Sequence, residues 1–298
     1  MSAAVIVMAY GSPATAEDVP AYLADIREGR PVSQEAVDEL TERYRRIGGR
    51  SPLNEITEAQ RAGLERELGV PVFVGMKHWR PRIAEAVEAA LAVCAERVVG
   101  VVLAPHYSRL SIAGYQERVE EAVQGRAELV FVESWHDFGP FLDVLAERVR
   151  GFDGHVVFTA HSLPERILQD GDPYRDQLLE TARLVAERAG LPNDPDHKVG
   201  WSFAFQSAST TGEPWLGPDI LEDLDRLAAN GVRRVLVCPV GFVSDHLEIL
   251  WDLDIEARER AAELGLELER IESLNDDPAF LRALAALVRE RLPAEVAP

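Results

Sequence analysis

The stretch "PRIAEAVEAALAVCAERVVGVVLAP", residues 81–105, decides the fold. Its first half carries apolar residues at helical spacing, and its second half runs from Val98 to Pro105 without one polar side chain. A strand with one wet face alternates apolar and polar residues. A continuous apolar run is what a strand needs when both faces are covered, as in a parallel sheet flanked by helices. Similar runs recur along the chain as "AAVIVMAY", "VPVFVGM", "AELVFVES", "HVVFTA", "VGWSFAF", "RRVLVCPV" and "GLELERIES", mostly separated by Ala-, Glu- and Arg-rich segments of helical period. The pattern predicts an α/β protein built on parallel sheets.

An internal echo divides it in two. "VIVMAYGSP" at residues 5–13 is answered by "VVFTAHSLP" at 156–164, and "VVGVVLAPHYS" at 98–108 by "RRVLVCPVGFVSDH" at 233–246. Two similar lobes, each with a short parallel sheet, are therefore expected, 1–140 and 141–298, with the last helix, from about Asp277, able to pack back on the first lobe.

The totals narrow the function. A formal charge of −20 over 298 residues argues against nucleic acid, whose phosphates call for clustered cations. No apolar run is long enough to span a membrane, and the N-terminal apolar run reads as a strand rather than a signal peptide. Cys94 and Cys238 are too few for a disulfide framework or a four-cysteine cluster, and both are expected to be reduced and buried. A cytoplasmic monomer is the expectation.

In open parallel sheets the ligand crevice lies beyond the carboxyl ends of the strands. The residues placed there are Tyr10, Lys77, His78, His106, Tyr107, His161, Gln206 and the run from Ser244 to Glu248. No glycine-rich dinucleotide fingerprint or phosphate loop follows any strand, nor is there an H-E-x-x-H zinc motif or a G-x-S-x-G elbow. His161 ends a strand, and Ser162, Leu163 and Pro164 read as a helix start. Imidazole there can accept a proton, bind a metal, or simply cap the strand. In "GFVSDHLEILWDLDIEARER", residues 241–260, a helix starting near Ser244 puts Glu248, Asp252 and Glu256 at i, i+4 and i+8 on one face. That row is either a solvated edge or an inward track for protons or a cation. Asp245 and His246 read as capping or turn residues.

Seven segments, "DIREGRP", "RYRRIGGRSPLNEIT", "GMKHWRP", "LAPHYSRLSIAGY", "FTAHSLPE", "FQSASTTGEPWLGPDI" and "CPVGFVSDHLEILWDLDIEA", occur in order across nearly the whole chain. Together they resemble the signature segments of ferrochelatases, which insert ferrous iron into a porphyrin. The resemblance implies two Rossmann-like lobes around a porphyrin cleft, with His161 and Glu248 as the inner metal and proton site. Asp252 and Glu256 would lead from it to an outer metal site, and Tyr10 would face the metal from the opposite side. Arg27, Arg43 and Ser51 become candidates for holding propionates, with Lys77 and His78 also lining the substrate. "MAYGSP" and "MKHWRP" resemble the bacterial enzymes acting on coproporphyrin III more than those acting on protoporphyrin IX. Iron would enter as substrate, with no permanently bound cofactor and no iron–sulfur cluster. The alternatives are a protoporphyrin IX ferrochelatase, a cobalt or nickel chelatase, and a non-catalytic haem- or metal-binding protein of similar fold.

Overall fold

The computed structural model describes residues 2–192, 200–209 and 212–293. In chain order the first half comprises β1 (Ala3–Ala9), α1 (Val19–Ile26), α2 (Gln34–Arg46), α3 (Leu53–Leu68), β2 (Val72–Met76), α4 (Ile83–Ala92), β3 (Arg97–Val102), α5 (Ala113–Val123), β4 (Glu128–Val132) and α6 (Gly139–Val149). The second half comprises β5 (His155–His161), α7 (Arg166–Gln169), α8 (Tyr174–Ala189), β6 (Gly200–Gln206), α9 (Ile220–Ala229), β7 (Arg234–Cys238), a π-helix (Ile249–Ala257), α10 (Arg258–Leu264), β8 (Glu267–Arg270) and α11 (Pro278–Arg289).

All eight strand-like runs form strands, and they assemble into two four-stranded sheets of the same order, β2-β1-β3-β4 and β6-β5-β7-β8. Every pairing is parallel. The echo in the sequence is thus an echo in topology: β1 and β5, whose ends carry Tyr10 and His161, hold the same inner position in their sheets. All seven residues of β1 are buried, as expected of an inner strand covered on both faces. Each fully buried Val or Ile contributes about 1.5–3 kcal/mol by leaving water. One cluster of buried side chains runs from Val5 and Val99 through Phe141 and Val185 to Phe158 and Phe280, so the two sheets share a core. Within it α11 packs on α3 and α6.

Three local expectations are corrected. Cys94 is exposed, because α4 stops at Ala92 and the chain leaves through a left-handed turn in which Cys94 has φ 59°. No helix starts at Pro164: that residue bridges to Trp215, and only the four-residue α7 follows. The helix expected near Ser244 begins at Leu247 and continues as a π-helix from Ile249 to Ala257. π-Helical hydrogen bonding is rare and concentrates at functional sites. Ile249, Leu253 and Ala257 anchor this helix against the apolar layer beside β7, which fixes its rotation about its axis. Glu248, Asp252 and Glu256 each precede one of these anchors.

Candidate active site

Parallel register gathers the site. On the first sheet Ala9 pairs with Met76, and the ladder runs on through the Lys77 amide to the Ala9 carbonyl at 2.9 Å and the His78 amide to the Tyr10 carbonyl at 2.9 Å. Tyr10, Lys77 and His78 therefore emerge side by side. Gly11 then turns the chain with φ 86°, and a Cβ there would stand 2.7 Å from that of Trp79. On the second sheet His161 pairs with Gln206, and the Gly241 amide donates to the Thr159 carbonyl at 3.1 Å. Gly241 is required there, since a Cβ would lie 2.5 Å from the Ala160 Cβ. This close approach brings the loop carrying His246 and Glu248 onto the end of β5.

His161 is held at three points. Its Nδ1 donates to the Ser162 carbonyl, its own carbonyl accepts from the Tyr174 hydroxyl at 3.0 Å, and its Nε2 faces Glu248 Oε1 at 3.6 Å. A carbonyl only accepts, so Nδ1 carries a proton and Nε2 is the working nitrogen. On the far side of the same carboxylate, His246 Nε2 lies 3.4 Å from Glu248 Oε2, with its Nδ1 donating to the Ser244 carbonyl at 3.0 Å. Glu248 is thus a carboxylate between two imidazoles. Burial alone would favour its neutral form, but His161 and then His246 hold it well below the usual carboxylate range. Burial likewise disfavours the His161 imidazolium, yet the charge and hydrogen bond of Glu248 outweigh it and raise the group to about 9.

Asp252 behaves differently. It is buried, and desolvation followed by the charge of Glu248 pushes it up to about 6, against hydrogen bonds from Ser207 and Gln206. It can hold or release a proton near neutral pH. Glu256 lies further along the π-helix, half-buried, and its charge adds to the rise at Asp252. Gln206 ties the strand to the helix, donating to the Glu248 carbonyl at 3.2 Å and accepting from Thr159 at 3.1 Å.

From the other lobe, Tyr10 is 42% exposed. The surrounding protein and then the charge of Glu248 push its phenol up. Its ring lies 4.6 Å from that of His78, tilted by 50°. His78 Nδ1 is 2.9 Å from Asp25 Oδ2, and Arg82 grips both oxygens of Asp25 at 2.7 and 3.0 Å. Burial lowers the His78 pKa despite Asp25, keeping the imidazole neutral near pH 7. Lys77 departs from this group, its Nζ donating to the Ser111 carbonyl at 3.0 Å.

The remaining candidates divide. Arg43 stacks over Trp251 of the π-helix at 5.3 Å while pairing with Glu39, and Arg46 stacks at 5.0 Å on the same indole. Arg27 is exposed. Ser51 is buried, and its hydroxyl accepts from the Leu53 amide at 3.3 Å at the start of α3. His106 is not a cleft residue: it is buried, with Nε2 2.9 Å from Thr181 on α8, and so bolts the lobes together. Asp245 is structural, bound by Arg270, Ser273 and Asn275. Thr210 and Thr211 of the "FQSASTTGEPWLGPDI" segment lie outside the described residues. The reading from sequence missed His246 as a partner of Glu248, although the spacing H-x-E was its signal. It also missed Asp25 and Arg82 behind His78, a contact spanning some fifty residues that no local pattern announces.

Among the described residues no three His, Cys, Asp or Glu side chains gather to hold a metal unaided. The family model "Ferrochelatase" matches residues 2–292. The chain belongs to the ferrochelatase family. It is an enzyme, a porphyrin metal chelatase that handles iron in haem biosynthesis. It is 45% identical to a ferrochelatase of Deinococcus radiodurans, over 98% of this chain and 96% of that one. It is 42% identical to a coproporphyrin III ferrochelatase of Geobacillus thermodenitrificans, again over 98% and 96%. Among solved structures the sirohydrochlorin chelatase SirB of Bacillus subtilis in complex with cobalt shares the fold, with TM-score 0.61, 12% identity and coverage of 97% and 95%. No helix among the described residues is long and apolar enough to cross a membrane.

Proposed function

We propose that this ferrochelatase inserts Fe²⁺ into coproporphyrin III, with His161 and Glu248 as the metal and proton site. The observation that carries the reading is the His161–Glu248 pair at the end of β5, the strand that holds in its sheet the place that β1, leading to Tyr10, holds in the other. A porphyrin between them would offer one face to the pair and the other to the phenol. Insertion releases two pyrrole protons for each Fe²⁺ bound. Because Glu248 holds His161 as an imidazolium at neutral pH, its Nε2 must first pass its proton to the carboxylate row or solvent. That nitrogen then takes one pyrrole proton or binds Fe²⁺ in passing, Glu248 balances the charge, and the second proton leaves by way of Asp252 and Glu256. Imidazole and carboxylate suit ferrous iron without gripping it. Asp252 and Glu256 continue from Glu248 along the π-helix, a row of carboxylates along which a proton or hydrated cation can pass. Iron is substrate here, and no resident cofactor or iron–sulfur cluster is invoked.

Coproporphyrin III is supported by Tyr10 and the neutral His78 beside it, the residues through which the chain resembles that branch, and by relatives of that name. Arg27 and Arg43 are proposed to meet propionates, for which guanidinium forks are suited.

The test is anaerobic Fe²⁺ insertion followed by absorbance, with coproporphyrin III and protoporphyrin IX offered in parallel. A kcat/KM at least about tenfold higher for coproporphyrin III is expected, and the reverse preference would overturn the assignment. In His161→Ala, turnover should fall by about 10²-fold or more while porphyrin binding, read by fluorescence quenching, persists.

A further inference from the structure

Of the 31 basic residues 29 are arginines, and the two lysines are Lys77 and Lys198. The arginines of this acid-rich chain are mostly paired: Arg61, Arg97, Arg148 and Arg226 each hold a carboxylate within 2.9 Å. Lys77 and Arg118 belong to the minority of cations without such a pair, and they are the two of that minority that line one cavity. No described carboxylate lies within ion-pair distance of either, although the chain has 51 acidic residues. They are instead pressed together, with Arg118 Nη1 donating to the Lys77 carbonyl. Burial and then the charge of Arg118 bring the Lys77 ammonium down to about 8, against the opposing charges of Glu117 and Glu28.

The lysine is held in place. Its Nζ donates to the Ser111 carbonyl at 3.0 Å and sits 4.8 Å from the Tyr115 ring centroid. Gly114 leaves the room it needs, since a Cβ there would stand 2.8 Å from Nζ. Both cations line a cavity of about 390 Å³ with Met76, Arg82, Ile83 and Glu121. Arg82 is paired with Asp25 and Glu121 is exposed, so Lys77 and Arg118 are the lining cations without a described carboxylate at ion-pair distance. One of the three ammonium donors and one of the five guanidinium donors are spent on carbonyls, which leaves six for a ligand.

We propose that Lys77 and Arg118 form an oxyanion pocket beside the cleft, built for a carboxylate or phosphate group. Its position suits two sources. Lys77 immediately precedes His78, whose ring packs against that of Tyr10, so a carboxylate on the rim of the tetrapyrrole is one source, and this version rests on the coproporphyrin reading above. A free anion entering from the α4–α5 side is the other.

The experiment compares the unaltered enzyme with Arg118→Gln and Lys77→Gln. Inorganic phosphate is titrated against sodium chloride of equal ionic strength while Tm is followed. The binding of coproporphyrin III, with four carboxylates, and protoporphyrin IX, with two, is followed by fluorescence quenching. A saturable, phosphate-specific rise in Tm that disappears in the variants supports the pocket and assigns a free oxyanion. A loss of about tenfold or more in coproporphyrin affinity, with protoporphyrin affinity kept within about twofold, supports it and assigns the rim. If both variants fold, as read by near-ultraviolet circular dichroism, and neither measurement changes, the pocket is overturned. Should Arg118→Gln not fold, Lys77→Gln carries the same two readings. The phosphate titration involves no porphyrin, so failure of the coproporphyrin assignment would show in the unaltered enzyme's substrate preference and leave that titration standing.

Discussion

Replacing Glu248 by Gln tests whether the central carboxylate sets the charge of the site. In the folded protein Glu248 lifts His161 from 6.5 to about 9 against the effect of burial. Such a shift corresponds to about 3 kcal/mol of coupling. The two side chains are 30% and 37% exposed, so solvent screening brings the expected value down to about 1–2 kcal/mol. The unfolded imidazole titrates near 6.5 and the folded one near 9, so the stabilisation is fully present below about 6.5 and lost as pH rises through about 9. On the acid side Glu248, held below its ordinary 4.5, supplies its share above that value and loses it as pH falls further. The Tm deficit of Glu248→Gln should therefore be largest at about pH 5–6, about 2–8 °C, and vanish by about pH 10. In ¹H–¹⁵N spectra the His161 ring should titrate below 6.5 in the variant, since burial then acts against little opposing charge. An equal Tm deficit at pH 6 and pH 10, or a His161 midpoint still near 9, would refute the reasoning.

Two further outcomes follow from the same geometry. Asp252→Asn keeps the shape that Ser207 and Gln206 bind but removes the group able to exchange a proton near pH 6, so kcat should fall by about 10²-fold with the porphyrin KM little changed in steady-state insertion assays. A rise in KM alone would show that Asp252 serves binding instead. Gly241→Ala puts a methyl 2.5 Å from the Ala160 Cβ and should cost about 1–3 kcal/mol in urea unfolding, with a loss of insertion activity as the Glu248 loop lifts from β5; a cost under about 0.5 kcal/mol would mean that the loop yields freely.

Much of this was legible in the chain because it depends on short-range pattern. Continuous apolar runs such as Val98–Pro105 announce strands covered on both faces, and the paired segments ending in Tyr10 and His161 announce two sheets of like topology. The rule that ligands gather beyond strand ends points to Tyr10, His78, Gln206 and His161, and the structure sets Tyr10 beside His78 and His161 beside Gln206, because parallel pairing brings the carboxyl ends to one side of each sheet. It failed for His106, which occupies such a position but turns to Thr181, since the rule cannot say when a second lobe covers a strand end.

The sequence by itself determined the two parallel sheets, the likeness of the two halves and the row of carboxylates after β7, because periodicity and residue type act over a few positions. Only the tertiary structure decided what those residues became. Helical spacing predicts an α-helix over the carboxylates, whereas Ile249–Ala257 is a π-helix whose Ile249, Leu253 and Ala257 are buried in the apolar cluster beside β7. The burial that raises Asp252, the two imidazoles that hold Glu248 ionised, and the Asp25–Arg82 pair behind His78 all depend on contacts between segments far apart in the chain. Charge and desolvation are set by what stands within a few ångströms in space, and adjacency in sequence does not fix that.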